Sequence, residues 1–568
     1  MLKNFHLGNF KAFAKTQHIP IRPLTLIFGA NSSGKSSIIH GLLLARHAIE
    51  TGELDAYRTN IGGDSVDLGG FRQYIHRREV AHRVEWGIEF DVDGTQVGEK
   101  FTQLMTSVGR IKIALTIGLK IDNNNRPSSN EEPTVLVYNL LIDDIKLLSA
   151  SRQSNNSMYL DRLEREHPIV RSIFQEVASS ENNKRLNEVL DILLPRLTLK
   201  MGNFLPSGFE ISQQNLETLL GILLKIPLGN ADERITHSVA DLQEILPLAF
   251  SFRDHMSDLV LSINEQVNAT LGRLSYLGPL RSYPPRTVAF TQHYDPNWFA
   301  GGGYAWDMVR RNKSVRDAVN GWLNNSERLK TPYELDVRKL ISQNDLNDPL
   351  LRGLKALDQD GLDVEVDYDE PPPPSLDDPE PKGRIRYIPR IIDAQREVQR
   401  IQEEYINNLE YLSELVIRDR RTDTLVSHRD IGVGVSQVLP VLVAAYASKH
   451  SIIAIEQPEI HLHPALQAEL GDVFIQSALG SSRNTFLLET HSEHLILRIM
   501  RRMRNTANEE LPDGMPKITP DDVAIIYVQP KDDHSAAIVQ HLELDEEGGF
   551  IDPWPGGFFE EGFNERFA

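Results

Sequence analysis

One stretch constrains this chain of 568 residues more than any other: Gly29-Ala30-Asn31-Ser32-Ser33-Gly34-Lys35-Ser36-Ser37. Before it runs Leu24-Thr-Leu-Ile-Phe28, an apolar segment of strand type. After it, Ser37 to Arg46 repeats apolar residues at helical spacing. Strand, G-x-x-x-x-G-K-[ST] and helix, in that order, make a loop that cradles phosphate. The glycines allow backbone angles and close approaches that other residues resist. The loop N–H groups form an anion nest, and the helix N-terminus adds positive potential. Lys35 is expected to reach the β- and γ-phosphates of ATP, and the Ser36 hydroxyl to bind Mg²⁺. The fold class expected is α/β.

Three further segments share this logic. Ser451-Ile-Ile-Ala-Ile-Glu456-Gln457-Pro458-Glu459 is an apolar strand that delivers an acid at its C-terminal end, where ligands sit in open α/β sheets. Glu456 is expected to hold the Mg²⁺ shell through water. Arg429-Asp-Ile-Gly432-Val-Gly434-Val-Ser436-Gln437 is a Gly/Ser-rich turn that opens a helix, which is a second anion-binding device. One phosphate seldom needs two. The economical reading is that Gly434, Ser436 and Gln437 cap the γ-phosphate held by another copy; the plainer one is an ordinary helix cap. Asn484-Thr-Phe-Leu-Leu-Glu489-Thr490-His491 again ends a strand in polar groups, and His491 is expected at the γ-phosphate or the attacking water. Gln73, in Gly70-Phe-Arg-Gln-Tyr, is a weaker candidate for the Mg²⁺ shell; the plainer reading is an exposed loop glutamine.

Phosphate loop, Gly/Ser signature, acid strand and switch histidine, taken together, resemble the ABC-type heads of SMC, RecF and OLD proteins. More narrowly, Ile455-Glu-Gln-Pro-Glu-Ile-His-Leu-His-Pro464 is similar to the E-x-P-E-x-H-L-H-P segment of a bacterial AAA-family ATPase group. Tyr276-Leu-Gly-Pro-Leu-Arg-Ser-Tyr-Pro-Pro-Arg286, Val433-Gly-Val-Ser-Gln-Val-Leu-Pro440 and the tail Gly548-Gly-Phe-Ile-Asp-Pro-Trp-Pro-Gly-Gly-Phe-Phe559 resemble the same group. The resemblance implies an ABC-type P-loop head, with a mixed sheet, an antiparallel lobe and a helical insertion. It implies that two heads associate head to head, each completing the other's ATP site. His461 and His463 would then be structural or interface groups, not zinc ligands. The resemblance extends to the ATPase subunit of Septu-type and retron-associated anti-phage systems. That implies a separate HNH-type nuclease as partner and, in a retron setting, a reverse transcriptase.

The chain departs from ABC heads at one position. Those heads place a Glu, the base for the attacking water, directly after the Mg²⁺-shell acid; here stands Gln457. An amide takes no proton at neutral pH but can orient water. Slow turnover is expected, with Glu456, Gln457 and His491 as the catalytic set. Glu459, Glu489 and Glu493 are open candidates for the missing base.

The rest of the chain divides by pattern. Residues 1–122 read as a first ATPase lobe, with half-buried strands at Val84–Phe90 and Ile111–Ile117. Residues 123–275 read as a mainly helical insertion, compact because no long heptad run occurs. Residues 276–424 read as a connector. It holds an acidic, proline-rich linker at 358–382 and a long helix over Arg390–Arg418, with Val398, Ile401, Tyr405, Leu409 and Leu412 on one stripe. Residues 425–568 form the second lobe and tail, too short after its last strand for a nuclease domain. There is no cysteine, which excludes disulfides and thiolate metal sites. No long apolar run suggests a membrane span, and no signal peptide opens the chain, so a cytoplasmic protein is expected. A net charge of −20 repels nucleic acid at long range. Direct contact with nucleic acid, as in a RecF-like repair ATPase, would need a local basic patch. Candidates are Arg498, Arg501, Arg502 and Arg504, or Arg310, Arg311, Lys313 and Arg316, each also readable as a solvated helix face. Gln457 leaves a third reading open, a non-hydrolysing nucleotide-sensing scaffold.

Overall fold

The computed structural model describes residues 2–92, 108–120, 132–177, 187, 190–223, 239–281, 297–324, 331–341, 400, 411–426, 433–531 and 535–555. They fall into two units: residues 1–284, 293–332 and 428–568 form one, and residues 285–292 and 333–427 the other.

The first unit contains two sheets. One is an antiparallel sheet of nine strands. It comprises β1 (Leu2–Gly8), β2 (Gln17–Pro20), β4 (Val84–Asp91), β5 (Arg110–Gly118), β6 (Thr134–Ile142), β7 (Ile145–Arg152), β8 (Met158–Leu163), β9 (Leu197–Met201) and β10 (Pro206–Ile211). Their order is β10-β9-β8-β7-β6-β5-β4-β1-β2. The alternation seen in sequence at β5 is the alternation of its burial, so one face lies on the core.

The second sheet holds the phosphate loop. Its order is β11 (Leu274–Leu277), β15 (Ile452–Glu456), β16 (Thr485–Glu489), β3 (Leu24–Gly29), β17 (Val523–Pro530) and β18 (Ala537–Leu542). All pairs are parallel except β17 with β18. Every residue of β15 and β16 is buried, which is why both read as continuous apolar runs.

Helix α1 (Ser36–Thr51) ties the two sheets together. The Trp86 indole N–H donates to Gly41 O at 3.2 Å. A Cβ at Gly41 would lie 2.8 Å from a Leu7 methyl, so α1 reaches the antiparallel sheet only because that residue has no side chain. The helix ends at Gly52, whose left-handed φ of 81° lets its N–H bond Ala48 O. The remaining helices are α2 (Phe71–Tyr74), α3 (Pro168–Val177), α4 (Gln213–Leu223), α5 (Val239–Gly272), α6 (Gly303–Arg311), α7 (Lys313–Asn324), α8 (Val433–Ala447), α9 (Pro464–Leu479) and α10 (Glu493–Ala507).

Two expectations are corrected. The stretch 123–275 carries strands as well as helices: β6 to β10 extend the antiparallel sheet through it, beside α3, α4 and α5. A short apolar run such as Val135-Leu-Val-Tyr-Asn-Leu-Leu has no periodicity that separates a buried strand from a helix. The helix expected over Arg390–Arg418 is replaced at its C-terminal end by β13 (Tyr411–Asp419), where Leu412 pairs with Leu340. The other four residues of that stripe, and the linker 358–382, lie outside the described residues.

In the second unit, β12 (Tyr333–Ile341), β13 and β14 (Thr424–Val426) form a three-stranded antiparallel sheet. Cross-strand ion pairs join Arg338 to Glu414 and Arg418 to Asp336. Among the described residues, no helix is long and apolar enough to cross a membrane.

Candidate functional site

The phosphate loop leaves β3 at Gly29 and enters α1 at Ser36. Gly29 and Gly34 have φ of 145° and 100°. A Cβ on Gly29 would meet Val528 O at 2.2 Å, and one on Gly34 would meet the Ala12 Cβ at 2.3 Å. Side chains at either position would collide with neighbouring residues and displace the loop. Ser32 also has a positive φ, 62°. Ala30, Asn31 and Ser32 are exposed, so the crown of the loop is open to a ligand, while Ser33 and Ser37 are buried beneath it. Lys35 lies over the loop, donating to Gly29 O at 3.1 Å and Ala30 O at 2.9 Å. Burial lowers its ammonium below the usual lysine value, against the opposing pull of Glu489, Glu456 and Glu459.

Three acids close the site. The parallel register sets Glu456, at the end of β15, beside Glu489, at the end of β16. Ser36 Oγ donates to Glu489 Oε2 at 2.7 Å. Burial and the neighbouring Glu456 charge push the Glu489 carboxyl up to about 7. Glu456 Oε1 accepts from Tyr276 Oη at 2.9 Å and faces His40 Nε2 at 3.7 Å. His40 Nδ1 in turn lies 2.7 Å from Lys11 Nζ. An ammonium has only donors, so His40 accepts at Nδ1 and its remaining proton points toward Glu456. Burial lowers Lys11 to about 8, with Glu456 and then Asp67 opposing. Glu459 is buried and accepts from His491 N at 2.8 Å. His491 is half-buried, and burial, with the Lys35 charge, holds its imidazole below the ordinary value, favouring the neutral ring.

Gln457 sits in a left-handed conformation, φ 48°. Its N–H donates to Glu489 O at 2.7 Å, and its carbonyl accepts from Arg281 Nη2 at 3.0 Å. A non-glycine residue held there by two bonds is a strained position at a site, where such strain is often found.

The oxygen donors suit a hard divalent cation: a serine hydroxyl and two carboxylates beside a backbone nest. Ser36, Glu456 and Glu489 would hold Mg²⁺, and the loop with Lys35 would hold the phosphates. Bound there, the cation would neutralise phosphate charge. The chain's own groups would orient the phosphate tail and water, and Tyr276 holds the Glu456 carboxylate by its hydrogen bond.

Comparisons with known proteins follow this geometry. Residues 4–226 match a family described as "AAA domain", and residues 305–498 match one described as "AAA domain, putative AbiEii toxin, Type IV TA system". The chain carries AAA-family ATPase domains. Residues 518–566 of this ATPase match a third family, described as "Protein of unknown function (DUF3696)". No curated protein matches it. Similar solved structures include an Smc head bound to the C-winged helix domain of ScpA, at 11% identity over 96% of this chain and 98% of that one, TM-score 0.34. An Smc head with an extended coiled coil, bound to the C-terminal domain of ScpA, derived from Pyrococcus furiosus, is 10% identical over 95% and 96%, TM-score 0.34. The SMC head domain from Thermotoga maritima is 9% identical over 96% and 99%, TM-score 0.31.

Several sequence expectations for the ATPase change on contact with the structure. Ser436 and Gln437 are buried in their own chain, and the Gln437 amide donates to Arg281 O at 3.0 Å. Within one chain the Gln437 amide is therefore engaged with Arg281. The end of α8 left open is its start, where Val433 is exposed and Gly434 half-buried. A Cβ on Gly434 would lie 3.0 Å from His461 O, so the helix start lies against the loop after the acid strand. Gln73 is exposed on α2, its side chain folded over Gly69, and no hydrogen bond joins it to Ser36 or Glu456. His463 caps α9, accepting from Ala465 N at 3.3 Å. No group of three or more metal-ligating His, Cys, Asp or Glu side chains occurs among the described residues.

Four of the eight candidate basic residues, Arg498, Arg502, Arg310 and Arg311, are held in ion pairs, while Arg501 and Arg504 are exposed. Arg498 and Arg502 are mostly buried against Glu469 and Asp472, with contacts of 2.6 to 2.7 Å. Arg310 and Arg311 pair with Asp307, and Arg316 donates to Val309 O. Charges at helical spacing do not reveal which face is covered. Tyr276, Arg281, His40 and Lys11 had no assigned role in sequence. His40 stands one helical turn after Ser36, a usable signal; Lys11 and Arg281 are brought in by the fold alone.

Proposed function

We propose that the protein is a nucleotide-driven switch: MgATP bound at the phosphate loop draws two heads together, and the joined state controls a separate effector, a nuclease acting in anti-phage defence. The observation that carries the nucleotide part is the convergence of Lys35, Ser36, Glu456, Glu489 and His491 around one loop. Head association is supported by the exposed start of α8 beside the loop after the acid strand, a helix end of the kind that binds anions. A binding energy available only in the joined state shifts the population toward it.

The effector is inferred from resemblance. The defence setting is supported by the match over residues 305–498, to a family whose description includes a toxin–antitoxin system. An HNH-type nuclease is the expected partner, with a reverse transcriptase in a retron setting. Direct action on DNA is the less favoured reading, because Arg498 and Arg502 are engaged internally.

Three experiments test this. Calorimetry with MgATP on wild type and Lys35→Ala should show binding that the substitution removes. Sedimentation should show an ATP-dependent dimer in wild type only. Purification from the native operon, followed by mass spectrometry, should yield a stoichiometric nuclease; a self-associating protein alone would move the reading to DNA.

A further inference from the structure

Arg281 lies in the segment that follows β11, and only 5% of it is exposed. Its guanidinium donates through Nη1 to Gln437 O at 3.1 Å, and through Nη2 to Glu456 O and Gln457 O, both at 3.0 Å. Gln437 Nε2 returns a bond to Arg281 O at 3.0 Å. One buried side chain thus joins the first turns of α8 to the peptide that leaves the acid strand. Under the proposed function these are different half-sites. The start of α8 faces the nucleotide of the other head. Glu456 and Gln457 face the nucleotide of this one.

We infer that Arg281 is a positioning residue that couples the two ATP sites, relaying engagement of α8 by the partner's phosphate to the Glu456–Gln457 peptide. This rests on ATP-driven head association. The physical argument has three parts. The guanidinium is a rigid planar fork, so its donors keep a fixed spacing as it moves. Its hydrogen-bond partners are carbonyls in a buried setting, where directional bonds are strong. The far side of Gln457 is fixed by its N–H bond to Glu489 O, so a shift arriving at its carbonyl rotates the residue instead of translating it. Its left-handed backbone has few alternative conformations to absorb that motion.

The test uses full-length Arg281→Lys, which keeps the charge and loses the fork. Four quantities are read: the Hill coefficient of ATP hydrolysis, kcat, the Kd for ATP by calorimetry, and thermal unfolding. Wild type should hydrolyse cooperatively. Arg281→Lys should lose cooperativity and about tenfold in kcat, a typical coupling, while Kd stays within about twofold. If Arg281→Lys does not fold, Gln437→Leu removes only the returned bond and should lower the Hill coefficient in the same direction. A folded Arg281→Lys with wild-type cooperativity overturns the coupling and leaves head association standing. Equal losses in kcat and affinity would mark a merely structural role and also overturn it. A wild type that neither dimerises nor cooperates with ATP defeats the proposed function itself.

Discussion

Replacing Tyr276 with Phe isolates what holds the Mg²⁺-shell carboxylate. Tyr276 is 3% exposed, so the ring keeps its packing and only the hydroxyl is lost. That hydroxyl donates to Glu456 Oε1 at 2.9 Å. Burial, and then the charge of Glu456, push its ionisation far above the ordinary tyrosine value, so it remains a donor at any working pH. The nearest substitute, His40 Nε2, stands 3.7 Å from the same oxygen, too far for a hydrogen bond. A hydrogen bond to a charged group contributes about 1.5–3 kcal/mol. Allowing His40 to move closer, the lower bound of about 1.5 kcal/mol applies, which corresponds to roughly tenfold. Changes to groups that orient metal ligands commonly cost about 10–100-fold in affinity or activity. The assay is ATP hydrolysis as a function of free Mg²⁺ at saturating ATP. Tyr276→Phe should raise the half-saturating Mg²⁺ about tenfold, with thermal unfolding little changed. A folded variant whose Mg²⁺ dependence and kcat both stay within about twofold would refute the assignment of Glu456 to the metal shell through Tyr276.

Gln457→Glu supplies a base where the wild type has an amide, and should raise kcat about a hundredfold; an unchanged or lower rate would mean the base already resides elsewhere, with Glu489 or Glu459. Asp472→Ala removes the anion that Arg498 and Arg502 share, leaving a buried guanidinium unpaired. It should cost about 3–5 kcal/mol in chemical denaturation, and a loss under about 1 kcal/mol would show that the cluster is solvated. Burial holds His6 and His541 below their ordinary value of 6.5. Because the folded pKa values are depressed, the unfolded chain takes up protons first. The histidine contribution should be full above pH 6.5 and decline as pH falls through and below it, while Glu489, raised to about 7, acts in the opposite sense; in a Glu489→Gln background, denaturation midpoints equal at pH 7.5 and 5.5 would contradict this.

What the sequence made legible follows from how local each signal is. The phosphate loop, the acid at the end of β15 and the histidine after β16 are each written within about ten consecutive residues, because a strand ending in a polar group is a local pattern. The register that places Glu489 against Ser36 is not local, and its role as their shared oxygen site emerged only in the fold. The same limit hides how the signature helix is oriented. Ser436 and Gln437 occupy an anion-binding motif by type, but the helix that carries them is buried over Val435–Ala445, and burial on all sides leaves no polar stripe to reveal its orientation. The strands β6 to β10 failed for a different reason. Their apolar runs are short, and long helices follow them, so the helical spacing of the neighbours dominated the reading.

The placement of β3 has a consequence for how the protein is made. The strand that carries the phosphate loop is flanked by β16 and β17, from the far end of the chain. Ser36 and Glu489 are 453 positions apart, and Gln17 accepts from Val539 N across 522. At typical synthesis rates of about 5–20 residues per second, β3 waits on the order of 25–100 s after translation for its neighbours. A ribosome that stops early therefore releases a chain with the whole loop motif and no site around it. A copy cut short before β16 and β17 lacks Glu489 beside Ser36, so the phosphate loop stays without that carboxylate until the last strands are in place.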